Sequence, residues 1–176
     1  MTRVELKRRA SPRPEGAPAP LAPRAEALER VFVIHVGEER MGLPIERVRT
    51  VFMAREMASA PLTPPWVRGL VNLRGTVVTA ISLRARLGLP ERAPQDCASE
   101  GELAIAVEAD GEPFALLVDR VGDVALVAPG SAAVAPAGIS EQARRLTACV
   151  YALPTGLLPI LDLRAAVFDE PAPTIS

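Results

Sequence analysis

Apolar positions along this chain come in short runs separated by a few polar or turn-forming residues, a rhythm that predicts strands and hairpins more than helices. Residues 31–36 are a continuous β-favouring run, Gly37-Glu38-Glu39-Arg40 is polar, and 41–45 is apolar again, which predicts a hairpin. A further apolar stretch covers 48–53, after which Pro61, Pro64 and Pro65 forbid regular structure. Runs at 67–73 and 76–81 flank Asn72-Leu73-Arg74-Gly75, either a tight turn or an interruption between two strands. A short helix is predicted over 82–90, with Ser82 as N-cap and Gly88 and Pro90 as the stop.

After a polar linker at 91–101 the same order returns. Runs at 103–107 and 114–118 flank a turn at Asp110-Gly111-Glu112-Pro113, 124–128 adds a strand, and a Pro/Gly/Ala loop follows. Runs at 147–153 and 157–161 flank Pro154-Thr155-Gly156, and the second leads into a helical segment at 162–168. Residues 77–85 align with 157–165 at a spacing of 80, and Arg47-Val48 aligns with Arg120-Val121 at a spacing of 73. The chain therefore reads as two related halves, about 30–90 and about 101–170, each a small, mostly antiparallel barrel. Halves of this size have marginal cores on their own, so they are expected to pack together and leave a groove for a partner helix.

Composition narrows the function. With 49% hydrophobic residues, 23% charged and a net charge of −1 over 176 residues, the sequence is that of a packed globule. One Trp, one Tyr and four Phe on a near-neutral chain do not supply the rings and basic surface that nucleic-acid binding requires. Residues 1–29 form a proline-containing tail with six basic and four acidic side chains, predicted to be disordered, and 171–176 form a short C-terminal tail. No apolar leader follows the first residues, and the longest uncharged stretch, 124–140, is broken by Pro129, Gly130, Pro136 and Gly138. A soluble, cytoplasmic protein without direct membrane insertion is expected. Cys97 and Cys149 belong to no metal-ligand pattern and read as reduced, buried or half-buried thiols. His35 is the sole histidine, lies inside a strand, and has no serine or cysteine poised beside it by a known spacing. No phosphate-loop, dinucleotide, zinc or calcium motif occurs, so neither an enzyme nor a cofactor or metal is expected.

Two features point to docking. The 31–36 run is apolar on both faces of a strand, so its second face must be covered by the other half, by the 57–66 loop, or by another protein. Arg74 leaves a rigid element at a defined place, as a recognition arginine would, although spacing alone favours a plain surface arginine.

Gly69-Leu70-Val71-Asn72-Leu73-Arg74-Gly75, followed by an apolar strand and Leu83-Arg84, resembles the G-[IV]-x-N-L-R-G signature of the CheW family of bacterial chemosensory coupling proteins. Residues 117–124 resemble its V-D-x-V-x-x-V segment, and 157–168 resemble its C-terminal close. The resemblance spans about 30–168 and implies an all-β fold with short helices, in which two five-stranded SH3-like barrels pack together. It implies a non-enzymatic adaptor that joins the regulatory domain of a CheA-type histidine kinase to the cytoplasmic tip helices of methyl-accepting chemoreceptors, recruited to receptor arrays and able to enter rings with other CheW-like proteins. By residue, it implies kinase contacts at Phe32, Ile45 and Val48 and receptor contacts at Gly69, Arg74, Leu103 and Val124, each apolar one of which could instead be core. The sequence also departs from the family. Thr50 stands where an acid often pairs with the N-L-R-G arginine, so Arg74 has either lost its usual partner or found another, for example Glu46 or Glu56; Thr79-Ala80 replaces the usual proline-led strand entry; Ala115 replaces a usual glycine. These departures favour, as an alternative, a divergent module of a paralogous signalling pathway in motility or development. A small barrel that binds RNA or a small ligand is the alternative from another class.

Overall fold

A computed structural model describes residues 28–92, 101–128, 132–133 and 139–168. In chain order the elements are β1 (Glu29–Val36), β2 (Glu39–Pro44), a 3-10 turn (Ile45–Arg47), β3 (Val48–Ala54), β4 (Met57–Ala58), β5 (Val67–Leu73), β6 (Thr76–Ser82) and α1 (Leu83–Arg86). Then follow β7 (Glu102–Ala109), β8 (Glu112–Leu117), β9 (Arg120–Val127), β10 (Ala132–Ala133), α2 (Glu141–Arg145), β11 (Thr147–Leu153), β12 (Gly156–Leu161) and α3 (Leu163–Phe168). The chain is mostly β, as expected, and no described helix is long and apolar enough to cross a membrane. Most of the N-terminal tail, the linker at 93–100, Cys97 and the C-terminal tail lie outside the described residues.

The strands form two six-stranded sheets, ordered β10-β11-β12-β2-β1-β9 and β4-β5-β6-β8-β7-β3, or five strands each if the two-residue β10 and β4 are set aside. These open sheets are the two SH3-like subdomains. Advancing every strand of the second sheet by six positions, cyclically, reproduces the first, so the duplication read from the spacings of 73 and 80 is also a topological one. The parallel pairings β6–β8 and β12–β2 correspond.

The expectation that 30–90 and 101–170 each close on their own strands needs correction. The β1–β2 hairpin sits in the sheet of β9–β12, and the β7–β8 hairpin sits in the sheet of β3–β6. Each half lends its first hairpin to the other. Seating is close: a side chain at Gly42 would stand 2.4 Å from Val31 and 2.7 Å from Ile160. Its equivalent, Ala115, pairs with the small Ala80 instead of a bulky isoleucine, which accounts for the alanine where glycine is usual.

Exchange divides the core into three. Ala54, Val71, Val78, Ala104 and Leu117 fill one subdomain; Val31, Val127, Tyr151, Leu158 and Ile160 fill the other. Between the subdomains lies the largest cluster, which joins Ile34, Val36 and Leu43 of one hairpin to Ile105, Val107 and Leu116 of the other, with Leu83 and Ala166 from the helices and Leu146 from the end of α2. Both faces of β1 are thus covered by the chain itself: Val31 and Val33 face a subdomain interior, Phe32, Ile34 and Val36 the central cluster.

Ser82 caps α1 by accepting from the Ala85 amide at 3.1 Å, worth about 1 kcal/mol. Ser140 caps α2 in the same way, through the Ala143 amide at 3.1 Å. Helix α2 was not expected from the sequence; its single turn is too short to show a helical period. Strand β9 starts four residues earlier than the expected 124–128, and the β7–β8 loop narrows to Asp110-Gly111.

Candidate docking surfaces

The N-L-R-G segment closes the β5–β6 hairpin. Leu73 pairs with Thr76, so Arg74 and Gly75 form a two-residue loop with φ of 51° and 90°, the positive values that primed hairpin turns require. The Asn72 side chain accepts from the Gly75 amide at 2.7 Å and fixes the turn. Arg74 is exposed and meets no ion-pair or hydrogen-bond partner among the described residues; neither Glu46 nor Glu56 replaces the missing acid. Thr50 faces Ala106 across the β3–β7 ladder. Gly69, at the other end of β5, is buried in a ladder irregularity, where an added side chain would stand 2.4 Å from the Ala58 carbonyl oxygen.

Apolar side chains reach solvent along the two terminal strands β3 and β9. Val51 and Met53 do so on β3; Val124 and Leu126 do so on β9, with Val124 43% exposed, and Val121 joins them at the start of β9. The two pairs are related by the spacing of 73. Each abuts the central cluster: Val124 pairs with Phe32, Val51 with Ile105, and Met53 with Leu103. Cross-strand neighbours share a face, so each exposed pair continues the central core outward past its rim.

The expected contact residues therefore fall into three groups. Phe32 and Val124, assigned to different partners, are direct cross-strand neighbours. Leu103 lies half-buried beside Met53, and Gly69 and Arg74 mark the two ends of β5. Ile45, in the 3-10 turn after the exchanged hairpin, and Val48, the first residue of β3, are both half-buried. Sequence reading missed Val51, Met53 and Leu126; their regular spacing from one another was the available signal.

The V-D segment and the Leu83-Arg84 segment meet. Asp119 accepts from Arg84 Nε at 2.9 and 3.1 Å and from the Gly37 amide, and its own amide donates to the His35 carbonyl at 3.0 Å. Arg84 also donates to the Pro90 carbonyl at 2.7 Å. Burial pushes the Asp119 carboxyl up, but the Arg84 hydrogen bond, the Gly37 amide and the charges of Arg84 and Arg92 outweigh it and hold the group below the usual carboxylate value. This cluster pins the tip of the exchanged β1–β2 hairpin to α1 and the start of β9.

Among the described residues, nothing resembling reactive chemistry assembles. His35 is half-buried between its cross-strand neighbours Arg40 and Arg120. Cys149 is a free, half-buried thiol whose pKa is raised by burial against a lowering hydrogen bond with Tyr151. Among the described residues, no three His, Cys, Asp or Glu side chains gather where they would hold a metal ion.

Residues 30–171 match the family model of the CheW-like domain. The chain is 27% identical over 142 residues to the chemotaxis protein CheW of Bacillus subtilis (strain 168), covering 81% of this chain and 88% of that protein. It is 25% identical over 140 residues to the probable chemotaxis protein CheW of Rhizobium etli, covering 80% and 87%. Its fold is similar to that of the scaffolding protein TtCheW from Thermoanaerobacter tengcongensis, with a TM-score of 0.68 at 24% identity over 82% of this chain and 97% of that one.

Proposed function

The chain belongs to the CheW-like domain family, and on that premise we propose that it is a non-enzymatic cytoplasmic adaptor that couples a CheA-type histidine kinase to chemoreceptors in a chemosensory array. The observation that carries the reading is the pair of equivalent apolar edges, Val51/Met53 and Val124/Leu126, on a molecule whose halves are related by a pseudo-twofold. One chain with two similar edges is suited to holding two protein partners at once. A terminal strand adds unpaired backbone groups to the exposed side chains, and these together are what a partner's barrel docks against.

The kinase regulatory domain meets one edge, around Phe32 and Val124 with Ile45 and Val48 beside it. The receptor tip lies against the β5–β6 hairpin, where Arg74 supplies a fork of donors on a fixed turn, and against the β3 edge, where Met53 and Leu103 are cross-strand neighbours. Because Thr50 provides no internal carboxylate, the Arg74 charge is left for a partner, which also fits service in a paralogous signalling pathway. Titrating the labelled chain with the regulatory domain of a CheA-type kinase from the same organism tests the reading. Micromolar or tighter binding, about −8 kcal/mol at 1 μM, supports the adaptor. Absence of binding to both kinase and receptor, with affinity for RNA instead, overturns it.

A further inference from the structure

The pairing of β2, β1 and β9 sets three basic side chains in one row. His35 lies directly opposite Arg40 on β2 and directly opposite Arg120 on β9. Directly opposed residues share a face, so all three leave the side of the sheet on which Val31 and Val33 line the subdomain of β9–β12. The row stands at the mouth of that interior, beside the β11–β12 turn. Arg40 donates to the Thr155 hydroxyl and to the Leu157 carbonyl, both at 3.3 Å, which fixes its fork and leaves N–H donors to spare. Gly122 makes room for the imidazole, whose Nε2 is 3.3 Å from where a side chain there would stand. Arg120 is exposed, and neither it nor the His35 ring has a hydrogen-bond or ion-pair partner among the described residues.

The pseudo-twofold supplies a comparison within the chain. At the spacing of 73, His35 corresponds to Glu108 and Arg40 to Pro113, and these are cross-strand partners as well. Gly122 corresponds to Arg49, which forms an ion pair with Glu108. One subdomain therefore closes this end with a carboxylate neutralised by its own arginine, whereas the other keeps an imidazole between two arginines. Like charges set directly opposite each other cost stability, and such departures from local preference are characteristic of functional sites.

The charges around the row leave it cationic. Glu38 in the β1–β2 turn, Arg84, Asp119 and Arg92 border the same hollow as Arg120, and Asp123 follows on β9. Arg84 and Asp119 offset each other. Glu39 alternates to the opposite face of β2, and Glu29 lies at the far end of β1. Strands β11 and β12 carry no charged residue, and burial keeps the Cys149 thiol and the Tyr151 hydroxyl protonated. Arg40, Arg92 and Arg120 thus outnumber Glu38 and Asp123 before His35 adds its own proton.

We propose that the Arg40–His35–Arg120 row binds a tetrahedral dianion, the phosphate group, and holds it most tightly when His35 is protonated. Two guanidinium forks and an imidazole N–H from three adjacent strands serve three oxygens, one more than a carboxylate has.

The single histidine makes the test specific, because one imidazole resonance reports on the row. Sulfate is the first probe, since it stays dianionic throughout and leaves any pH dependence to the protein. Titrated into the full chain at constant ionic strength and followed by proton–carbon NMR, it is expected to shift the His35 signal saturably, with a Kd on the order of 1 mM at about pH 6. Affinity is expected to fall about fivefold or more by about pH 8, across the range in which an imidazole ordinarily loses its charge. Arg120→Gln, which keeps the reporter and changes an exposed position, is expected to weaken binding about fivefold or more, whereas Arg55→Gln in the other subdomain leaves it unchanged. His35→Gln, followed through the Gly122 and Thr155 amides, is expected to bind equally at both pH values. Inorganic phosphate and a phosphoserine peptide of otherwise uncharged sequence, compared at equal dianion concentration, then separate the two sources: tighter binding of the peptide assigns the site to a phosphorylated partner, and equal or weaker binding assigns it to the free ion. A non-saturating shift, affinity unaffected by Arg120→Gln or by pH, or acetate binding as tightly as sulfate overturns the proposal. So does failure to bind, the result expected if a carboxylate of the 93–100 linker, Asp96 or Glu100, already occupies the row. No readout involves the kinase or the receptor, so the adaptor reading stands or falls separately.

Discussion

Arg74 holds the first loop position of the β5–β6 hairpin with a positive φ, where a non-glycine side chain costs about 1–2 kcal/mol. Its guanidinium returns none of that through contacts with the described residues. Arg74→Gly is therefore expected to raise unfolding stability by up to about 1 kcal/mol, and Arg74→Ala to leave it near wild type, in urea titrations. Both are expected to weaken receptor-tip binding about tenfold or more; wild-type affinity in either removes Arg74 from the receptor surface. Asp119 behaves in the opposite manner, since its contacts hold the fold. Its folded carboxyl lies below the unfolded value of about 3.9, so its contribution is complete above about pH 4 and is lost as pH falls through the folded value. Asp119→Asn should cost about 1–3 kcal/mol at pH 7 and flatten the acid limb of the stability profile. Acid titrations of wild type and variant that run parallel would show that Arg84 does not need this carboxylate. Both residues were legible in the sequence as motif members, but the pairing of Asp119 with Arg84 was not, because 35 residues separate partners that only the hairpin exchange brings together.

On the proposed reading the terminal strands β3 and β9 carry the docking chemistry, through the equivalent pairs Val51/Met53 and Val124/Leu126 beyond the rim of the central core. Lysines on the exposed positions of one strand keep its inward face and its ladder while making that edge unfit for docking. Val124→Lys/Leu126→Lys is expected to lower kinase regulatory-domain affinity more than tenfold, whereas Val51→Lys/Met53→Lys should do so for the receptor tip, with melting temperatures close to wild type. Loss of both partners from one double variant would mean that the two edges do not divide the work. Strand existence was readable because alternation and turn residues agree in each hairpin. Exposure was harder to read: Val51 and Ile105 are both apolar strand residues, and only the third dimension leaves one at the rim and the other at the centre. The five-residue α2 and the two-residue β10 fall below the length at which a period declares itself.

Across the molecule, the pseudo-twofold and the lent hairpins make the halves mutually dependent. Separately produced fragments 1–92 and 93–176 are each expected to give unfolded-like circular dichroism and to gain a cooperative melt only when mixed. A fragment that folds alone as a monomer would contradict the exchange. The duplication was visible in the repeat spacings, but the exchange was not. The β1–β2 hairpin has the same alternation whichever sheet receives it, and sequence order favoured the nearer one. The lending of hairpins also fixes a timetable for biosynthesis. The β1–β2 hairpin leaves the ribosome ahead of every other described element, yet its berth beside β9 and β12 does not exist until the last of the described strands have been made. A nascent chain must therefore carry a greasy, homeless ribbon through most of translation, and completion of the C-terminal strands is the event that lets the rest of the protein close.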